Sequence, residues 1–170
     1  MIEIILVWFI IITSVYFSIQ LKKLTLLAAL TGGFLAAIIY YGTGIVGIVL
    51  LGTFFVLGTS ATVWHLNKKR ATNNIDKDSG IRNPTQVLAN GGVAAIISFL
   101  AIIDPQNIIV YKLLLAASLS SETADTLSSE LGMIYGKKHY DIISLKPGNK
   151  GDDGIISLEG TFIGIIGSCI

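Results

Sequence analysis

Apolar residues along this 170-residue chain come in long uninterrupted blocks. They follow neither the alternation of a half-buried strand nor the single face of an amphipathic helix. The blocks run Ile4–Gln20, Leu24–Tyr40, Gly44–Trp64, Val87–Ile103 and Ile155–Ile170, and a segment from Ile108 to Leu131 starts apolar and ends polar. Several approach or exceed the ~20 residues that cross the hydrocarbon core of a bilayer as a helix. The pattern predicts an all-α fold, a polytopic transmembrane helix bundle of five or six spans in one membrane domain. Two long polar loops separate them, residues 65–86 and 132–154. Gly32, Gly33, Ala36 and Ala37 give the second span a small-residue contact face. Asp104-Pro105-Gln106-Asn107 breaks the fourth span from the fifth.

Composition agrees: 52% of the residues are hydrophobic and 14% charged, against about 25% charged in soluble domains. A chain this short cannot enclose five such helices within a soluble shell. The net charge of +1 says nothing about nucleic acid, since the lysines and arginines lie in short loops; the expected partner is membrane lipid, with no nucleic acid. A single cysteine, Cys169, rules out a disulfide framework and a thiolate metal cluster. The first apolar run lacks a basic leader and a small-residue cleavage site, so it reads as a retained span. With alternating spans, eleven of the twelve Lys and Arg residues fall on one side, Lys112 being the exception. The positive-inside rule makes that side cytoplasmic and places the N-terminus outside, as in a prokaryotic plasma membrane. The final block is ~24 Å long as a helix, short of the ~30 Å core, and ends without a polar anchor. The expectation is a chain lacking further C-terminal helices, or a last helix that leans on a partner.

Candidate chemistry concentrates in three places. On the fifth helix, Ser118, Glu122, Asp125, Thr126, Ser129 and Glu130 fall on a stripe less than half the helix wide. Three carboxylates at that depth call for a divalent cation, basic partners or protonation, unless the helix end simply emerges into water. Gln86 and Asn90 stand one turn apart at the start of the fourth span, able to bind a ligand or a neighbouring helix. In Lys146-Pro147-Gly148-Asn149-Lys150-Gly151-Asp152-Asp153-Gly154, glycines three apart can turn backbone N–H groups toward phosphate just before a helix. Asp152 and Asp153 can instead take a hard cation. This is not a Walker A loop, since no Gly-Lys-Ser/Thr follows. The expected topology brings all three places to one level, an arrangement suited to a magnesium–phosphate ligand. His65 and His139 fall in basic loops and read as solvated.

These stretches carry a resemblance. Gln86-Val87-Leu88-Ala89-Asn90-Gly91-Gly92, Ala124-Asp125-Thr126-Leu127-Ser128-Ser129-Glu130-Leu131-Gly132 and Gly151-Asp152-Asp153-Gly154-Ile155-Ile156-Ser157-Leu158-Glu159-Gly160-Thr161 resemble three signatures of one membrane-protein family. That family includes transmembrane protein 19 and the phytyl-phosphate kinase of vitamin E biosynthesis. The likeness runs from about Lys68 to the end. It departs at Leu127, where tryptophan is common, and at Ile155, which replaces a second glycine. The resemblance implies a kinase that phosphorylates a polyprenyl or phytyl monophosphate, a prenyl-type lipid phosphate, using magnesium and CTP or ATP. Asp125 and Glu130, with Glu122, would hold the metal. Asn90 would position the acceptor, and Lys150, Gly151, Gly154 and Ser157 would bind phosphate. The alternatives are an ion-coupled transporter, with the carboxylate stripe lining a pathway, and a non-catalytic membrane protein.

Overall fold

The computed structural model describes residues 1–65, 81–152 and 154–169. Expectations for loop residues 66–80 (Lys68, Lys69, Arg70 and Lys77 among them), for Asp153 and for Ile170 lie outside the described residues. The helices are α1 (Ile2–Gln20), α2 (Leu26–Thr43), α3 (Ile45–Val63), α4 (Pro84–Ile103), α5 (Ile108–Tyr135) and α6 (Leu158–Gly167). A short antiparallel ribbon, β1 (His139–Asp141) and β2 (Ile155–Ser157), stands between α5 and α6 in the chain. Among the described residues, four helices, α1 to α4, are long and apolar enough to cross a membrane. The all-α, polytopic membrane expectation therefore holds, with one small ribbon added.

Helix boundaries follow local chemistry. Thr25 caps α2 by accepting from the Ala28 N–H at 3.2 Å, and α2 stops at Gly44, whose φ of 72° suits glycine. Asn83 and Gln86 form a reciprocal capping box at α4, with Pro84 in the first turn. The Gln86 amide is thus a cap: its oxygen accepts from the Asn83 N–H at 2.9 Å. Ser98 Oγ, buried on α4, has no hydrogen-bond partner among the described residues, but other hydroxyls inside the spans bond back to their own helices, as Thr43 does to Ile39 O and Thr53 to Val49 O. Away from water, that leaves no orphan donor at these positions.

The chain divides into two compact units, Met1–Thr53 with Gly80–Leu119, and Phe54–Ser79 with Ser120–Ile170. In the first unit α2 and α4 run parallel. Gly32 faces Val87, Gly91 faces Leu35, and Gly42 lies against the backbone of Ser98, partners that advance together along both helices. Gly91, Ala94, Ala95, Ser98 and Ala101 form the buried stripe of α4, small enough to admit α2 closely. Val7 and Ile11 of α1 pack with Ala36 and Tyr40 of α2. The turn after α1 pairs with the segment before α4, with Thr25 N–H donating to Arg82 O at 3.1 Å and Arg82 N–H to Lys23 O at 3.0 Å. Those two basic segments therefore occupy one end of the unit. Most large side chains of α1, Ile5, Phe9, Ile12 and Phe17 among them, remain exposed for lipid.

The terminal run expected as one span from Ile155 to Ile170 divides instead. Ile155 and Ile156 extend as β2 against β1, and Ser157 then caps the ten-residue α6. β-Branched residues with a partner strand favour extension, and the cap postpones the helix start to Leu158.

The shared end of α2 and α4 carries Lys23 and Arg82, so it is expected to face the cytoplasm. In a Cys169→Ser background, Lys23→Cys should resist an impermeant thiol reagent on intact cells while Gln106→Cys, at the other end of α4, reacts. The reverse pattern would invert the orientation.

Candidate functional site

The second unit is built around the meeting of α5 and α6. Ala124, Ser128, Gly132 and Gly136 recur every four residues and so lie along one side of α5. Gly160 and Gly164 do the same on α6. A β-carbon at Gly160 would stand 2.9 Å from Ser128 O, and one at Gly132 would stand 3.1 Å from Gly160 Cα. Gly164 meets Ala124 O and Ser128 Cβ, so the contact continues along α6. Near the far end of α6, Ser120 Oγ donates to Ser168 O. Small residues four apart in both helices were the signal for this seam, which sequence reasoning noticed only on the second span.

Ser157 joins the ribbon to the seam. Its hydroxyl is buried, accepts from the Gly160 N–H at 3.1 Å as the α6 cap, and lies beside Gly132 and Gly136. A β-carbon at Gly136 would fall 2.6 Å from Ser157 Oγ. The His139–Ser157 register of the ribbon follows from that anchor.

Between α5, the ribbon and the start of α6 opens a cavity of about 470 Å³. Asp125, Ser128, Ser129 and Gly132 line it from α5, Lys150, Gly151, Asp152 and Gly154 from the loop, and Ser157, Gly160 and Thr161 from the α6 end. Gly151 (φ 92°) and Gly154 (φ 76°) both adopt backbone that favours glycine. Five residues singled out from sequence, Asp125, Lys150, Gly151, Gly154 and Ser157, thus come together on one wall-to-wall surface.

Three others do not join them. Glu130 accepts from Thr62 Oγ1 of α3 at 2.9 Å. Five residues along a helix turn a side chain by ~140°, so Asp125 and Glu130 occupy opposite edges of their stripe. Glu122 is half-buried and does not line the cavity. Asn90 belongs to the first unit, half-buried on α4. Among the described residues, no group of three or more His, Cys, Asp or Glu side chains is placed to hold a metal ion. The cavity lining carries hard oxygens, from Asp125, Asp152, Ser128 and Ser129, beside the imidazole of His139. Magnesium takes one or two carboxylates and completes its shell with waters and substrate phosphates. The donor set fits such an ion and does not form an all-protein cage.

His139, read as solvated from its basic surroundings, is half-buried and lines the cavity. Its Nε2 is buried and has no hydrogen-bond partner among the described residues. Pairing with Ser157 draws the imidazole inward, which a reading of local charge could not reveal. Beyond β1 the chain turns sharply. Asp141 accepts from the Ser144 and Ile143 N–H groups at 2.6 and 3.0 Å, and the bonds from Ser144 foremost hold its carboxyl below the ordinary aspartate range.

These features define a polytopic helical membrane protein with a glycine-lined cavity at the ends of two tightly packed helices. Residues 9–170 match the family model described as integral membrane protein DUF92, and the chain belongs to that family. The kinship read from the three signatures is borne out. Among its relatives, the chloroplastic protein VTE6 of Arabidopsis thaliana is 31% identical over 152 residues, 84% of this chain and 46% of that protein. An uncharacterized membrane protein of Methanocaldococcus jannaschii is 33% identical over 131 residues, 77% of this chain and 52% of that one. Protein PGR of Arabidopsis thaliana is 30% identical over 169 residues, 91% and 58% respectively. The chain spans about half the length of the curated relatives it matches. No solved structure matches it.

The seam makes a sharp stability prediction. Gly132→Val should destabilise the detergent-purified protein by ~1–3 kcal/mol or more, because α6 backbone occupies the space the side chain needs. Gly92→Ala, where nothing lies within 4 Å, should be neutral or stabilising by up to ~1 kcal/mol through helix propensity. Thermal unfolding of the two variants beside the parent checks both.

Proposed function

We propose that the protein is a membrane kinase that phosphorylates a polyprenyl or phytyl monophosphate, with the reacting phosphates in the cavity between α5, the ribbon and α6. The observation that carries this reading is the assembly of Asp125, Lys150, Gly151, Gly154 and Asp152 around one cavity. The resemblance of the three signatures to a family that includes the phytyl-phosphate kinase supports the reaction class. Asp125 and Asp152 would hold magnesium, which neutralises phosphate charge when bound.

The reaction asks little covalent help from the protein. A phosphate monoester is largely dianionic near neutral pH, its second pKa lying near ~6. One of its oxygens attacks the terminal phosphorus of the nucleotide. A new P–O bond forms, the bond to the bridging oxygen breaks, and a prenyl diphosphate and a nucleoside diphosphate leave. No general base is required, and catalysis is mainly positioning and charge neutralisation. Lys150 brings a cation to the cavity, and Gly151 and Gly154, without side chains, let a phosphate come close to their backbone. The acceptor's chain would remain among apolar helices, with its phosphate at the polar end of α5.

The experiment incubates the protein, in proteoliposomes, with phytyl or farnesyl monophosphate, magnesium and radiolabelled CTP or ATP. A labelled lipid diphosphate is expected. Asp125→Ala should lower the rate at least ~10²-fold, the scale of losing one preorganised electrostatic group. Lys150→Ala should act chiefly on nucleotide KM if its contact is common to ground and transition states. Absence of labelled diphosphate with both nucleotides and both acceptors would overturn the kinase reading. Ion flux abolished by Asp125→Asn would put a transporter in its place.

A further inference from the structure

β1 pairs on both sides. Besides β2, it bonds to the segment that follows it: Asp141 N–H donates to Lys146 O at 2.9 Å, Gly148 N–H donates to His139 O at 3.1 Å, and Tyr140 bridges to Pro147. These bonds close a tight hairpin whose tip is Ile142-Ile143-Ser144-Leu145. Three of its four residues are aliphatic, and they are exposed at 57% (Ile142), 90% (Ile143) and 72% (Leu145). A loop in contact with water alone rarely carries such a sequence, because turns favour Gly, Asn, Asp, Ser and Pro.

The outward presentation is built in. Asp141 takes the N–H groups of Ile143 and Ser144, and Leu145 N–H donates to Asp141 O at 2.9 Å. Leu145 sits at φ 55°, a left-handed conformation that leucine rarely adopts. The hairpin therefore presents Ile143 and Leu145 outward on a hydrogen-bonded, locally strained turn.

Two further observations identify what meets them. Trp64 Nε1 donates to Tyr135 Oη at 2.9 Å, and both rings are exposed. Exposed Trp and Tyr at helix ends mark the headgroup level of a bilayer. The hairpin rises from that level, since β1 begins four residues after Tyr135 and β2 leads straight into α6 through Ser157. Lys146 adjoins the tip, and Lys137 and Lys138 precede β1 at the root of the hairpin; all three are exposed. An apolar tip on a lysine-bearing hairpin complements an anionic lipid surface in both hydrophobicity and charge.

We propose that the Ile142–Leu145 hairpin tip inserts into the interfacial zone of the surrounding bilayer, with Lys137, Lys138 and Lys146 on anionic headgroups. Ile142 also lines the cavity. The inserted hairpin thus holds the cavity's outer wall against lipid, where a ligand carried by the membrane could enter without crossing bulk water. The insertion does not depend on the kinase reading.

The test uses Ile143→Cys in the Cys169→Ser background, labelled with an environment-sensitive fluorophore. Since Ile143 is 90% exposed, its replacement leaves packing intact. The protein is reconstituted in phosphatidylcholine vesicles with and without phosphatidylglycerol. Emission should shift to the blue relative to the same label at Asn149, and lipids brominated near the headgroup end of their chains should quench it. Quenching should rise with phosphatidylglycerol, and Lys137→Gln with Lys138→Gln should lose most of that rise. A label that brominated lipid fails to quench overturns the proposal. If it is nevertheless blue-shifted, the tip contacts protein, either a second copy or further chain; if not, it lies in water. Loss of lipid phosphorylation with quenching intact would reject the kinase reading alone.

Discussion

At Gly160 the α6 backbone comes so near α5 that a β-carbon would stand 2.9 Å from the Ser128 carbonyl oxygen. In a bilayer no hydrophobic force presses helices together, since lipid chains are as apolar as side chains. Close approach of backbones, with its dispersion and weak Cα–H···O contacts, is what remains. Ala124, Ser128, Gly132 and Gly136 make that approach possible over three turns. The ribbon and the cavity of the second unit are placed by it. Ser157 caps α6 beside Gly132, β2 enters the cap, β1 pairs with β2, and the cavity is the space left between ribbon and seam.

The first unit uses the same principle with different residues. Gly42 against Ser98, and the small stripe of α4, bring α2 and α4 into parallel contact. Larger side chains are turned outward. Cores of this kind contain little bulk, so a single added methyl group at a seam glycine matters more than removal of an exposed leucine or isoleucine. The economy of buried hydroxyls follows too: Thr43 and its equivalents return their hydrogen bonds to their own helices, leaving the helix faces effectively apolar.

The proposed chemistry and the proposed membrane contact meet in the excursion between β1 and β2. Lys150, Gly151, Asp152 and Gly154 line the cavity, the two glycines in left-handed conformations. The tip, Ile142 to Leu145, turns outward on a strained, hydrogen-bonded hairpin. His139 stands at the root of both, its Nε2 buried without a partner among the described residues. A buried polar atom left unmatched is costly, and such costs are usually retained where a ligand will meet them.

Length and continuity of the apolar blocks determined the membrane class, four of the spans and the helix breaks at Gly44 and Asp104-Pro105, because these depend only on local composition and backbone chemistry. The glycine loop and Asp125 were legible for the same reason: carboxylates grouped on one stripe of a largely apolar helix, and glycines three apart, are unusual wherever they occur. Tertiary structure decided the rest. It turned Glu130 toward Thr62, because a stripe of 140° is wide enough to serve two neighbours at once. It drew Ile155 and Ile156 into a ribbon, because a partner strand was within reach, and so shortened the last helix. It brought His139 inward, since strand register, not local charge, sets which way a side chain points. Whether small residues in a helix become a seam depends on the helix that meets them, and that partner is a fact of packing alone.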